Sequence, residues 1–467
     1  MTGTASFNRN LIVGVLLSAA FVSILNQTLL LIAIPPIMHD LQINASMAQW
    51  LTTVYLLTNG ILIPVTAYFI GRFSNRSLLM AAMCLFGAGT LLGAIAPTFA
   101  VLIVARIIQA AGAGIIMPLM QTVMLTMYPV EKRGAAMGMA GLVMGFAPAV
   151  GPTLSGWLIE HFSWRYLFYA VLPVSLLVLV LAAIFMRNVT AHKEGKLDTK
   201  SVVYSSLGWG GLLYGFSIAG TAGFISAQVL IPLVIGALSL FVLIRRQSRL
   251  NEPMLEFGVF QSRMFTITTI LSMLVYALMI GSQILLTFYI QNVRDISALS
   301  AGLILLPGAI VMGMMSPITG KIFDKLGGRG LSISGFLVII IGTFCYYFMN
   351  MTTSLSMIAL LFALQSLGIS MIMMPLTTAG MNALPTRLIA HGTAMNSTLR
   401  MVGGSIVTAL LVSIMSSVMM RTADQAPDIA MLEGIHAAFL LASALSVGGF
   451  LLSFSLHKHR QTRPETA

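Results

Sequence analysis

The sequence predicts an all-α membrane protein of about fourteen transmembrane helices, arranged as two six-helix bundles with two helices inserted between them. Three observations carry this: the scarcity of charge, the recurrence of apolar runs of membrane-spanning length, and an internal repeat. Only 8% of the 467 residues are Asp, Glu, Lys or Arg, while 58% are hydrophobic. A water-soluble domain needs roughly a quarter of its residues charged to hydrate its surface. Most of this chain's surface therefore faces hydrocarbon.

A helix needs roughly 20 residues to cross the bilayer core, and apolar runs of that order follow one another along the chain. The first, Leu11–Met38, lacks a small-residue cleavage pattern and precedes many equal segments, so it is read as a span and not a leader. Ala48–Ile70, Leu78–Ala96, Phe99–Met127, Ala135–Ile159 and Arg165–Met186 complete a first set, each separated by a short polar turn. The hydrophilic stretch Arg187–Lys200 leads to an inserted pair, Val202–Gly220 and Ala227–Ile244, and a second linker runs over Arg245–Arg263. Six more follow: Met264–Gln291, Ser300–Phe323, Leu331–Asn350, Leu355–Gly380, Gly392–Met420 and Gly434–Leu456. The expected division is residues 1–187, 188–263 and 264–467.

Charge tests this map independently. With loops numbered alternately, Arg165, Arg294 and Arg421 fall on one side, and Arg106 and Arg400 within spans. Every other Lys and Arg of the 25 falls on the opposite side. The positive-inside rule makes that side cytoplasmic, with both termini there. The net charge of +12 is thus spread over short loops, not gathered in one stripe with interleaved aromatics, and nucleic acid is not an expected partner. Cys84 and Cys345 sit inside apolar runs and read as small buried hydrophobes, with no disulfide expected.

The chain also repeats. Pro64-Val-Thr-Ala67, Gly71-Arg72 and Arg76 align without gaps to Pro317-Ile-Thr-Gly320, Asp324-Lys325 and Arg329. Gln109-Ala-Ala-Gly112 matches Gln365-Ser-Leu-Gly368, and Gly134-Ala-Ala-Met137 matches Gly392-Thr-Ala-Met395. The offset stays at about 250 residues with the same orientation in both copies, which implies parallel halves related by an axis along the membrane normal.

Several motifs sit on this frame. The fifth span carries Gly138, Ala147 and Gly151-Pro152-Thr-Leu-Ser155-Gly156, the fourth Arg106-Ile-Ile-Gln109, and the sixth begins Trp164-Arg165-Tyr-Leu-Phe168. Small residues along one face let helices approach closely where lipid supplies no hydrophobic drive, and Pro152 bends its helix. Together these motifs resemble the major facilitator superfamily, specifically its fourteen-span drug:H+ antiporter branch of EmrB/QacA-like exporters. The resemblance covers essentially the whole chain. It implies the major facilitator fold, a multi-pass plasma-membrane protein that exports lipophilic or amphipathic compounds, protons as coupling ion, and no cofactor. Membrane lipids are the expected surroundings and a monomer the expected state.

What the resemblance implies for individual residues is specific. Gly320, Asp324, Lys325 and Arg329 fit a cytoplasmic gating motif in which an acid and cations latch neighbouring helices. The first copy keeps Arg72 and Arg76 but has Ala67 and Gly71 for Gly and Asp. Gly138, Gly151, Pro152 and Gly156 would serve helix packing and flexing. The first and fourth spans of each half would line a cavity and supply Asn26, Gln27, Gln109, Gln121, Gln283 and Gln365 as neutral hydrogen-bonding groups. A carboxylate in the first span commonly couples protons in that branch, and here Asn26 stands in its place.

None of the 13 acids lies clearly at mid-membrane, so a coupling acid is expected at a helix end. Asp40 and Glu160 are the candidates, with His39 and His161 beside them. Arg106 is a guanidinium within a span, a placement that usually serves function, and it is the third coupling candidate. Arg400, about two turns from the cytoplasmic end, is expected at the inner gate or against substrate. No Gly-x-x-x-x-Gly-Lys-Ser/Thr loop supports a primary pump, and no His or acid cluster supports an intramembrane enzyme. A dedicated exporter of one metabolite, lipid precursor or signalling nucleotide stays open as an alternative, as, more remotely, does a channel.

Overall fold

The computed structural model describes residues 8–189, 198–250, 252–422, 424 and 426–456. The linker and tail charges Lys193, Glu194, Lys196, Lys458, Arg460, Arg463 and Glu465 lie outside the described residues. The chain folds as α1 (Arg9–Leu41), α2 (Ala45–Arg72), α3 (Asn75–Ala94), α4 (Phe99–Met127), α5 (Arg133–His161) and α6 (Arg165–Phe185), then α7 (Thr199–Ala222) and α8 (Ala227–Gln247). The remaining long helices are α9 (Arg263–Phe288), α10 (Ala298–Leu326), α11 (Gly328–Cys345), α12 (Leu355–Asn382), α13 (Ile389–Arg421) and α14 (Pro427–Ser453). Their starts are written locally. Asn44, Ser74, Thr98, Ser262, Ser297 and Ser354 each cap a helix by accepting a backbone N–H three residues on, which satisfies one of the four orphan donors there.

Some ends differ from the sequence reading for physical reasons. α14 begins at Pro427, seven residues before the expected Gly434, because Pro suits the first helical position and Asp428 suits the positive end of the dipole. α10 runs to Leu326, so Asp324 and Lys325 project from a helix and not a loop. Gly327 alone joins it to α11, at φ 79°, a conformation that favours glycine. Thirteen of the helical segments are apolar and long enough to cross a membrane. α7 is not among them, because serines and glycines dilute its hydropathy. It packs instead through its small residues, with Gly211 against Gly236 of α8.

The last six helices repeat the packing of the first six. α3 on α4 and α6 corresponds to α11 on α12 and α14; α1 on α5 and α6 corresponds to α9 on α13 and α14; α2 on α4 corresponds to α10 on α12. Two seams join the sets, α5 with α10 and α2 with α13, and α7 lies along the second seam against both of its helices. Glycines bring the two backbones together along the α5/α10 seam. A Cβ on Gly138 would stand 2.6 Å from the Ser316 carbonyl oxygen, and one on Gly145 would stand 2.6 Å from the Gly313 nitrogen. Larger residues there would force the helices apart. Arg72, Lys132, Arg133, Lys200, Arg263, Lys325 and Arg387 gather at one end of the helices, called here the basic face.

Candidate functional site

Each six-helix set contains a buried glutamine that ties three of its helices. Gln109 of α4 donates from Nε2 to Asn26 of α1 (3.1 Å) and to Thr90 of α3 (2.8 Å). Gln365 of α12 donates to Ser282 of α9 (2.7 Å) and accepts from the Tyr346 hydroxyl after α11 (3.1 Å). Asn26, Thr90 and Gln109 map onto Ser282, Tyr346 and Gln365 at one constant offset along the chain. Gly112 and Gly368, three residues after each glutamine, meet the backbones of α3 and α11 and bring those helices close. Gln109, Gln365 and Asn26, expected to line a substrate cavity, therefore stand inside their own bundles, with the two glutamine amides and the Asn26 Oδ1 engaged there and the Asn26 Nδ2 unpartnered.

The two intramembrane arginines have opposite surroundings. Arg106 is 1% exposed. It donates to Gln109 Oε1 (2.6 Å) and the Leu51 carbonyl (3.3 Å), and lies over the Tyr55 ring at 4.1 Å. It extends the first glutamine cluster, where the second has Phe362 at the matching position. Arg400 is 5% exposed and stacks over Tyr276 at 4.9 Å. Its Nε has no hydrogen-bond partner among the described residues.

Among the described residues, four hydrogen bonds join the first six helices to the last six, and all lie toward the basic face. The Asp324 carboxylate accepts from the backbone nitrogens of Gly134 (2.7 Å) and Ala135 (2.8 Å) at the start of α5. A negative charge there meets orphan N–H groups and the positive helix end, and Gly134 leaves room for it. Arg133 donates to Asn382 Oδ1 (2.9 Å), and Thr122 shares a hydrogen bond with Thr393 (2.8 Å). Sequence reasoning found Asp324 but missed these two pairs. Gly134 and Thr393 lay inside a recognised repeat, and the repeat was the signal available. At the matching place in the first half, Gly71 has open space around it. Arg72, Arg76 and Lys325 are exposed and Arg329 half-buried, and none forms an ion pair with a described residue.

On the opposite face Asp40 pairs with Arg165 (2.6 Å) and accepts from Trp164 Nε1 (3.0 Å), while Arg165 also donates to the Ala96 carbonyl (3.0 Å). The Arg165 bond, then the Trp164 bond, hold the carboxyl below its ordinary value of 3.8. In this state Asp40 is an ionised strap between α1, α6 and the turn after α3, a poor fit to a proton carrier working near neutral pH. Glu160 is exposed, without an ion pair to any described residue. The His161 ring bonds the Trp157 carbonyl (2.9 Å).

The other expected residues scatter. Gln27 is half-buried on α1, Gln121 buried on α4 with an unpartnered Oε1, and Gln283 exposed on α9. Gly151 abuts Thr28, and Ser155 donates to the Leu29 carbonyl (2.7 Å), so this motif seats α5 on α1. Pro152 and Gly156 instead meet Gly302 and Leu299 of α10.

Comparison with known proteins agrees with this architecture. The family model described as Major Facilitator Superfamily matches residues 16–408. The MFS-type transporter YcnB of Bacillus subtilis is 56% identical over 97% of this chain and 96% of its own. The lincomycin resistance protein LmrB of Listeria monocytogenes is 38% identical over 96% of each. The crystal structure of the human organic anion transporter MFSD10 superposes with a TM-score of 0.68 at 14% identity, covering 95% of this chain and 99% of that one. Duplicated six-helix packing, two seams between the sets and a family match over most of its length lead to one assignment: the chain belongs to the major facilitator superfamily of membrane transporters.

Proposed function

We propose that this transporter exports small lipophilic or amphipathic compounds by alternating access, with proton antiport as its energy source. The observation that carries the reading is the confinement of the four inter-half hydrogen bonds to the basic face. Polar bonds on one face and small-residue packing along the seams suit two bodies that part at one face and close at the other. The positive-inside rule assigns the basic face to the cytoplasm and the protein to the cell membrane with both termini inside. The state described is then closed to the cytoplasm. The 38% identical lincomycin-resistance relative supports export as the direction. The 33 methionines of this chain, flexible and polarizable, suit a surface that adapts to several ligands. Of the two end-of-helix acids, Asp40 is bound by Arg165, which leaves Glu160 as the candidate for proton coupling.

The test is uptake of a panel of lipophilic compounds into inside-out vesicles, with and without an imposed pH gradient. Gradient-dependent accumulation of several compounds is expected. Uptake indifferent to the gradient would remove proton antiport, and absence of uptake across the panel would remove export.

A further inference from the structure

We infer that Arg400, with Asn396 one turn toward the basic face and Tyr276 beside it, forms a subsite for the anionic group of an amphipathic substrate. The inference rests on the exporter reading above and names the chemistry that its central site selects.

Position comes first. Thr393, Asn396 and Arg400 follow one another at helical spacing on one stripe of α13. Thr393 bonds Thr122 of α4 across the two halves, so this stripe faces the other half. Arg400 stands seven residues, about 10 Å, further from the basic face than that bond. It therefore lies just past the polar seal, at the level where a central site opening to the opposite face would have its floor.

The charge has no answer within the protein. Arg400 makes no hydrogen bond or ion pair with a described residue, its Nε is unpartnered, and Asn396, 1% exposed, has an unpartnered Nδ2. Arg106 shows the alternative, since two acceptors receive its N–H groups. No conformational change readily supplies Arg400 with a carboxylate. α13 and its neighbours α2, α4, α7, α9 and α12 contain no Asp or Glu. Glu256, beside His391 at the basic end of α13, is taken by Arg387, and Asp428 and Glu433 lie in the first two turns of α14, about 20 Å away along the membrane normal.

A buried cation without a counter-charge is costly. The unpartnered polar atoms there are N–H donors, Arg400 Nε and Asn396 Nδ2, with the Tyr276 ring as a stacking plane. Unpartnered donors beside an uncompensated cation favour a carboxylate, sulfonate or phosphate. A free cation also disfavours cationic substrates by like-charge repulsion.

The test uses two fluorescent probes of one skeleton, 8-anilinonaphthalene-1-sulfonate and uncharged N-phenyl-1-naphthylamine. Their binding is titrated onto the purified full chain in lipid nanodiscs, with empty nanodiscs subtracted. The readout is the ratio of the sulfonate's affinity to the neutral probe's, so a general loss of fold cancels. Arg400→Gln should lower that ratio about tenfold or more, as loss of a charge-assisted hydrogen bond requires. Arg400→Lys, which keeps the charge, should hold it within about threefold, and Asn396→Ala should lower it by roughly threefold. A ratio in Arg400→Gln within about twofold of the unaltered protein would overturn the subsite. Vesicle uptake of the neutral probe separates the two claims: uptake with an unmoved ratio ends the subsite and leaves export standing. No uptake of either probe, with a ratio that falls as stated, ends export and leaves the subsite standing.

Discussion

Replacing Asp324 by Asn should open the basic face. The carboxylate accepts two backbone N–H bonds, from Gly134 at 2.7 Å and Ala135 at 2.8 Å, across the join between the halves. The amide keeps one acceptor oxygen, so the change removes one charge-assisted bond and the interaction of a full charge with the α5 N-terminus. In a half-buried position these are together about 2 kcal/mol, a shift of roughly 30-fold between closed and open forms. The shift can be read as the maleimide-labelling rate of a single cysteine at Thr393, with the free thiols Cys84 and Cys345 replaced by serine. Labelling from the basic face should accelerate by about that factor if the closed form dominates, and Asp324→Glu should accelerate it less. A rate in Asp324→Asn within about twofold of the parent would refute the reasoning, because the bonds would then bias no equilibrium.

Two further outcomes follow from the polar clusters. Gln109→Leu should destabilise the protein by about 3 kcal/mol, since it takes from the buried Arg106 cation one of its two acceptors and from Asn26 and Thr90 their shared donor. Gln365→Leu strands only the Tyr346 and Ser282 hydroxyls. It should cost less than Gln109→Leu, and thermal unfolding in detergent ranks the two. At the base of the inserted pair, Asp198 holds Arg246 through two bonds (2.6 and 2.9 Å), Arg246 and then Ser201 lowering its carboxyl to about 2. Its folded value lies below the ordinary 3.8. The contribution is thus complete above that value and lost only as pH falls toward about 2. Hydrogen exchange at the start of α7 should therefore be accelerated in Asp198→Asn at neutral pH, by a few-fold for so accessible a pair.

Much of the fold was legible because a bilayer imposes crude constraints. Length, hydropathy and loop charge place helices without reference to their partners, and the repeat gave the parallel halves. α7 shows the limit: its serines and glycines weaken the hydropathy signal, and its place is set by packing on α2, α8 and α13. The polar residues were found by type, but the neighbours that decide their role were not. Gln109 and Gln365 stood out as amides in apolar helices, yet only the structure shows them turned toward α1, α3, α9 and the end of α11. The same is true of the arginines. Sequence alone put both in the membrane, while bonds to Gln109 and Leu51 for one, and an unpartnered Nε for the other, separate them.

The central claim is that the two halves must part at the basic face in every transport cycle. Cysteines at positions 122 and 393, whose hydroxyl oxygens now stand 2.8 Å apart, would place two thiols across that join. Oxidation with a membrane-permeant catalyst should form a disulfide that arrests uptake into inside-out vesicles, and reduction should restore it. A cross-linked protein that exports as fast as the reduced one would contradict the account.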